Sequence, residues 1–417
     1  MIKKSKNRDF NIAKIKVVGV GGAGGNAVSR MCGDFPRGVD FIAVNTDVQD
    51  LNFCRTRKKI YIGKNTTKGL GAGMNPDLGR QAAEENRAEL AEALKGADMV
   101  FITAGFGGGT GTGAAPIIAE LTRDLGILTV AVITKPFGFE GAQRVRIAQE
   151  GLLKLQDNVD TLITIPNDKI FSIIDKNTPL NKAFGKIDEV LKNAVMGIAE
   201  LITAPGIINV DFADVKTVMQ DSGSAIIGIG VAEGEERAAN AAKMAINSPL
   251  LEISVDGATG VLFSVSGHRD LKMTEVNEVA QLIAENVDRS AKIIFGTYND
   301  RNLNKGAIKV TLVATGFENS LNREIGLLPD LFISYPPKSE SKAVDGSTSL
   351  TINPEYRRRV EFSETKEEKK RLLSNIKAKK APTLAEGEVG VPTAKRVGRK
   401  DDEDIWDVPT FLRRKRR

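Results

Sequence analysis

Nine consecutive residues, Gly105-Phe106-Gly107-Gly108-Gly109-Thr110-Gly111-Thr112-Gly113, constrain this chain more than any other stretch. They stand between an apolar run, Met99–Ala104, and a helical pattern that starts near Ala114. A strand-to-helix junction with six glycines and two threonines presents a concave array of backbone N–H donors and two hydroxyls, a receptacle for anionic oxygen. A second glycine loop, Gly19-Val20-Gly21-Gly22-Ala23-Gly24-Gly25-Asn26, also leaves a strand and enters a helix. Alone it contains G-x-G-x-x-G, the dinucleotide fingerprint, and Asp47 follows the second strand at a plausible distance. That pattern supports an NAD-dependent oxidoreductase. A dinucleotide fold needs one such loop, whereas two imply a longer phosphate chain held from both sides. G-x-x-x-x-G-K-[ST] and N-K-x-D occur nowhere, so the chain is no P-loop GTPase.

The runs Lys14–Val20, Val39–Asn45, Lys59–Gly63, Ala97–Ala104, Leu128–Thr134 and Thr161–Ile165 are rich in Val, Ile and Thr. Helical patterns over Asp77–Leu94, Gly111–Leu125 and Gly141–Gln156 lie between them. Such alternation predicts an α/β fold with a doubly wound parallel sheet. A long helix is expected over Leu180–Leu201, stopped by Ala204-Pro205-Gly206. Beyond it, strands at 224–231, 257–266, 292–297 and 307–315 alternate with helices at 235–247 and 272–287, which reads as a smaller mixed-sheet α/β domain. After Tyr335-Pro336-Pro337 the pattern dissolves into charged residues. The expected division is an N-terminal extension over 1–13, a nucleotide domain over 14–179, a central helix over 180–205 and a second domain over 206–320. A connecting segment over 321–337, a flexible linker over 338–400 and a disordered terminal peptide over 401–417 follow.

A single histidine, His268, removes His-based triads and multi-histidine metal centres, and no metal-ligand set is expected. Cys32 and Cys54 cannot build a disulfide framework and suit a reducing compartment. No apolar run approaches 18 residues and the N-terminus has no signal-like core, so a cytoplasmic chain with no membrane span is expected. The net charge of +6 resides in the ends: residues 1–13 carry +3, residues 338–400 carry +7, and the last 17 balance. The body over 14–337 is left at about −4, which argues against a nucleic-acid partner.

The two glycine loops together resemble those of the tubulin/FtsZ superfamily, in particular the bacterial FtsZ cell-division GTPases. The similarity runs on through Asn45-Thr46-Asp47, Gly69-Leu70-Gly71-Ala72-Gly73, Pro136–Gly141, Pro166-Asn167-Asp168, Asn209–Lys216 and Thr315-Gly316-Phe317. It implies a site for GTP or GDP with Mg²⁺. In that family Gly21, Gly22, Gly108, Gly109, Thr110 and Gly111 would hold the phosphates, and Ala72 and Gly73 would lie in the loop that senses the γ-phosphate. Glu140 and Arg144, aided by Pro136, would contact the ribose; Phe184 would pack on the base; Asn26, Asn167 and Asp188 would read guanine. A carboxylate such as Asp188 can accept from N1–H and the exocyclic amine of guanine. Adenine lacks that donor pair, and the unpaired acceptor costs roughly 1–3 kcal/mol. Without the resemblance, Asp188 reads as a solvated helix carboxylate.

Asp211 and Asp214, three apart at an expected helix start, share one face. By spacing alone Asp211 is a helix cap and Asp214 complements the first-turn dipole. The resemblance gives the segment another role: it would enter a neighbouring subunit's nucleotide pocket, where Asp211 and Asp214, assisted by Asn209, orient the attacking water. A site at one pole and its catalytic loop at the other imply a head-to-tail homopolymer, forming the cytokinetic ring (Z ring) at mid-cell.

The terminal peptide places Ile405, Trp406, Val408, Pro409, Phe411 and Leu412 in an otherwise polar end. Asp407–Arg413 is similar to the C-terminal peptide of the same family, which implies docking on membrane-tethering division proteins. Each buried anchor contributes roughly 1.5–3 kcal/mol against several of ordering, so one tail binds weakly and many on a filament bind tightly.

Overall fold

The computed structural model describes residues 13–33, 38–175, 177–204, 206–249, 251, 253–300 and 303–317. The expected connecting segment, linker and C-terminal peptide, with its six apolar anchors, lie outside the described residues, as does the N-terminal extension apart from Ala13.

Six parallel strands alternate with helices in the first half. They are β1 (Ile15–Val20), β2 (Val39–Asn45), β3 (Lys58–Tyr61), β4 (Met99–Gly105), β5 (Leu128–Lys135) and β6 (Thr161–Pro166). The helices are α1 (Gly21–Met31), α2 (Val48–Phe53), α3 (Pro76–Glu85), α4 (Arg87–Leu94), α5 (Thr110–Asp124) and α6 (Ala142–Gln156). The strands lie in the order β3-β2-β1-β4-β5-β6, so the winding reverses between β1 and β4. β4 and β5 are buried over nearly their whole length, because helices cover both faces.

The helical pattern at 77–94 forms two helices rather than the expected one. Asn86 breaks it with φ −108° and ψ 20°, and its Oδ1 accepts from the Gly63 amide at 2.9 Å. A tertiary hydrogen bond thus overrides a continuous local propensity. At the other end of α3, Asn75 Oδ1 accepts from the Asp77 amide at 3.0 Å and Pro76 opens the first turn.

α7 (Leu180–Thr203) runs for 24 residues, about 36 Å at 1.5 Å per residue. Ile187, Val190, Leu191, Ala194, Ile198 and Leu201 form its buried stripe. They share one core with Val132 and Ile163 of the first half and with Leu262 and Val313 of the second. After α7 come β7 (Gly206–Ile208), α8 (Phe212–Met219), β8 (Gly223–Glu233), α9 (Arg237–Ile246), β9 (Gly260–Gly267), α10 (Met273–Glu285), β10 (Lys292–Asn299) and β11 (Ala307–Thr315).

The second half is mixed: β11 is antiparallel to β8 and β9, while β9 and β10 are parallel. It continues the first sheet instead of forming one apart, because β8 pairs with β6 over Thr161–Gly223, Leu162–Ser224 and Ile163–Ala225. Among the described residues, eleven strands therefore make one sheet.

Candidate functional site

Over the reversal point, the C-terminal ends of β1, β2, β4 and β5 open into a cavity of about 360 Å³. The fifteen nucleotide-binding residues expected from sequence all line it. Gly21, Gly22 and Asn26 come from the start of α1, and Gly108, Gly109, Thr110 and Gly111 from the second glycine loop and the first turn of α5. Ala72 and Gly73 belong to the loop before α3. Pro136, Glu140 and Arg144 follow β5, Asn167 follows β6, and Phe184 and Asp188 lie on the first turns of α7. Two helix N-termini, those of α1 and α5, thus meet at one cavity, and their unpaired amides and dipoles favour an anion there.

Glycine is required at the seam. Gly21 has φ +71°, and a Cβ there would stand 3.0 Å from the Gly111 nitrogen. Gly109 donates its amide to Gly73 O at 2.6 Å; a Cβ on it would meet the carbonyl oxygens of Ala72, Gly73 and Asn75 at 2.7–2.8 Å. Three loops are therefore packed backbone against backbone. Buried hydroxyls lock them further: Thr46 Oγ1 and Thr110 Oγ1 are 2.6 Å apart, and Thr112 Oγ1 accepts from the Gly107 amide at 3.0 Å.

Two ion pairs line the cavity. Glu140 accepts from Arg144 at 2.8 Å and from the Phe137 amide at 3.0 Å, which fixes the turn after β5. Asp188 lies 3.0 Å from Nε of Arg30, a cavity residue that the sequence reading did not single out. Its signal was available: Arg30 follows Asn26 by four on α1, so both share a face. Phe184 meets Phe137 edge-on at 5.7 Å. Asn167 Oδ1 is buried with no hydrogen-bond partner among the described residues. A buried acceptor left open beside a cavity fits a ligand that brings an N–H donor.

Asp47, the acidic residue of the dinucleotide reading, is occupied as the cap of α2, accepting from the Gln49 and Asp50 amides at 2.9 and 3.2 Å. The strand order 3-2-1-4-5-6 is shared with dinucleotide folds, so the second glycine loop, not the topology, separates the readings.

Asn209, Asp211 and Asp214 are not in the cavity. Asp211 caps α8 through the Ala213 amide at 3.3 Å, and Asp214 is exposed in the first turn. Asn209 Oδ1 accepts from the Gly206 amide at 2.7 Å. From Asp188 in the cavity, α7 runs 15 residues to Thr203, about 22 Å at 1.5 Å per residue. α8 ends where Met219 O accepts from Thr161 Oγ1, at the start of β6. The acidic pair therefore lies outside the cavity, beyond the end of α7 opposite to the one that lines it.

The sequence model of the Tubulin/FtsZ family, GTPase domain, matches residues 14–175, and that of the FtsZ family, C-terminal domain, matches residues 223–318. Among solved structures, an empty FtsZ dimer from M. jannaschii is similar at 50% identity and TM-score 0.71, over 74% of this chain and 89% of that one. A GTPγS-bound protofilament of CetZ2 from Haloferax volcanii is similar at 24% identity and TM-score 0.64, over 75% and 96%. GDP-bound monomeric CetZ1 from the same organism is similar at 21% and 0.63, over 73% and 95%. The two CetZ likenesses speak for the fold alone.

Proposed function

This chain belongs to the tubulin/FtsZ family and hydrolyses GTP to GDP and phosphate, and from that premise we propose that it works as a head-to-tail filament whose active sites are completed between neighbouring subunits. One observation carries the proposal: the expected binding residues line a cavity at one end of α7, and the expected catalytic acids stand exposed beyond the other end of that helix. No single molecule brings the two together. A contact between unlike poles does not close on itself and so extends as a filament.

Within each joint, the backbone amides of Gly21, Gly22 and Gly108–Gly111 would cradle the phosphates, and Asn26, Asn167 and Asp188 would read the base. Asp211 and Asp214 of the next subunit, with Asn209, would orient the water that attacks the γ-phosphate. Positioning and fixed dipoles supply most of the catalysis in phosphoryl transfer. Mg²⁺ is held chiefly by phosphates and water, with one or two carboxylates at most. The ion would offset the charge on the β- and γ-phosphate oxygens.

In the cell the filament would form the cytokinetic ring of bacterial division, in the cytoplasm at mid-cell. Ile405, Trp406, Val408, Pro409, Phe411 and Leu412 would dock on membrane-tethering division proteins. No helix among the described residues is long and apolar enough to cross a membrane.

Light scattering after addition of GTP and Mg²⁺, then of GDP, tests assembly, and phosphate release per molecule across a protein dilution series tests the shared site. Turnover per molecule should climb steeply with concentration. Equal turnover in dilute and concentrated protein would exclude an active site built from two subunits.

A further inference from the structure

A second cavity, of about 460 Å³, opens at the starts of β1, β2 and β3. Lys16, Arg55, Arg57 and Lys58 make its wall basic, with Asp40 as the lining carboxylate, and Val39 and Phe41 add an apolar side. Positive charge is packed here against the sign of the body, which carries about −4. The Lys16 ammonium is already committed, donating to the carbonyls of Ala93 at 2.9 Å and Lys95 at 2.7 Å. Lys58 also donates to the Ala93 carbonyl, at 3.4 Å, and it and Arg57 lie on the exposed edge. A cavity of this kind selects a carboxylate-rich segment with an apolar residue beside it.

The chain carries one run of four consecutive acidic residues, Asp401-Asp402-Glu403-Asp404, and Ile405-Trp406 follows at once. We propose that the basic cavity at the starts of β1–β3 receives this acidic run of the chain's own C-terminal peptide.

Topology brings the two to the same pole. The last residue of β11, Thr315, pairs with Gly260 at the start of β9 and with Ala225 near the start of β8. The start of β8 pairs with the start of β6. The chain therefore leaves the sheet at the pole of strand starts, where the basic cavity opens. β11 and β2 are separated by β8, β6, β5, β4 and β1, six steps or about 29 Å at 4.8 Å per strand. Between Phe317 and Asp401 lie 83 residues, for which a statistical coil would span about 50 Å on average. The tether is long enough for a peptide to reach the cavity of its own molecule. A peptide held there would be withheld from other partners until displaced, a control separate from the filament proposal.

Trp406 is the chain's only tryptophan, so its fluorescence in the full-length protein reports the peptide alone. In dilute, GDP-bound protein at low salt, its emission should be blue-shifted and its anisotropy high. The charge reversal Arg57→Glu with Lys58→Glu should shift the emission to the red and lower the anisotropy. GTP binding of this variant, unchanged, shows that the fold is intact. Adding Asp401→Lys and Asp402→Lys to the same variant should restore the signal. A spectrum indifferent to the reversal would overturn the proposal. So would a docking signal that grows with protein concentration, since the peptide would then sit on a neighbouring molecule. Neither outcome touches the filament reading, which is scored by turnover against concentration.

Discussion

Gly21 and Gly111 face each other across the seam of the two glycine loops, with only 3.0 Å between the Gly111 nitrogen and the place a Cβ on Gly21 would occupy. The loops come from strands β1 and β4, which are adjacent in the sheet and flank the winding reversal. Their spacing is therefore fixed by strand pairing, and the room in the cavity between them is whatever the glycines leave open.

Gly21→Ala should accordingly weaken GTP binding at least tenfold. The residue has φ +71°, a conformation that costs a non-glycine residue about 1–2 kcal/mol, and the methyl group also pushes on α5. Gly108→Ala is the control for stability, because a Cβ there meets nothing within 4 Å. Titration with a fluorescent GTP analogue and thermal unfolding should show Gly21→Ala impaired in both, and Gly108→Ala unchanged in melting temperature.

Asp211 has a structural duty besides the catalytic one proposed for it. As the cap of α8 it satisfies the Ala213 amide, a contact whose loss by substitution with alanine costs about 1 kcal/mol. Asp211→Asn keeps a capping oxygen and removes the charge. Both variants should bind GTP normally and lose turnover, while only Asp211→Ala should unfold at a lower denaturant concentration. If Asp211→Asn turned over at the parent rate, the residue would be a cap and nothing more.

Much of this was legible in the chain because local signals and the global fold agree. The alternation of apolar runs with helical patterns gave the parallel sheet, and the glycine clusters fell at strand-to-helix turns where, at Gly21 and Gly109, a Cβ would press on neighbouring backbone. The break at Asn86 was hidden because its cause, the Gly63 amide, is 23 residues away. The junction of the two halves was hidden for a similar reason: three pairs between β6 and β8 leave no periodicity of their own. Arg30 shares a face of α1 with Asn26, which spacing does show; its pairing with Asp188 is the hidden part, because it arises from α7 packing against α1.

The Arg30–Asp188 pair gives a test of base selection. Asp188→Ala should lower GTP affinity about tenfold to a hundredfold, matching the roughly 1–3 kcal/mol of buried guanine donors that lose their acceptor. ATP, which offers no such donor pair, should be affected far less. Competition of GTP and ATP against a fluorescent nucleotide measures both in the parent and the variant. An equal loss for the two nucleotides would assign Asp188 to holding Arg30 rather than to reading guanine.

Tyr298 donates its hydroxyl to Glu200, joining the end of α7 to β10 at a buried point. Burial raises the pKa of Glu200, outweighing the Tyr298 hydrogen bond and the nearby Lys309, and burial also raises that of Tyr298, keeping the phenol a donor. A carboxyl group whose folded pKa lies above its unfolded value, about 4.3, stays protonated in the folded chain after the unfolded chain has lost its proton. Its contribution to stability is then fully present below that value and is lost as pH rises through the raised pKa. Glu200→Gln preserves the shape and abolishes the titration. The stability of the parent relative to this variant should therefore decline with pH above the unfolded value and level off once Glu200 is ionised in the fold. Urea midpoints of both proteins between pH 4 and 8 measure the difference; one that rises with pH would mean that Lys309 and the Tyr298 hydroxyl stabilise the carboxylate more than burial penalises it.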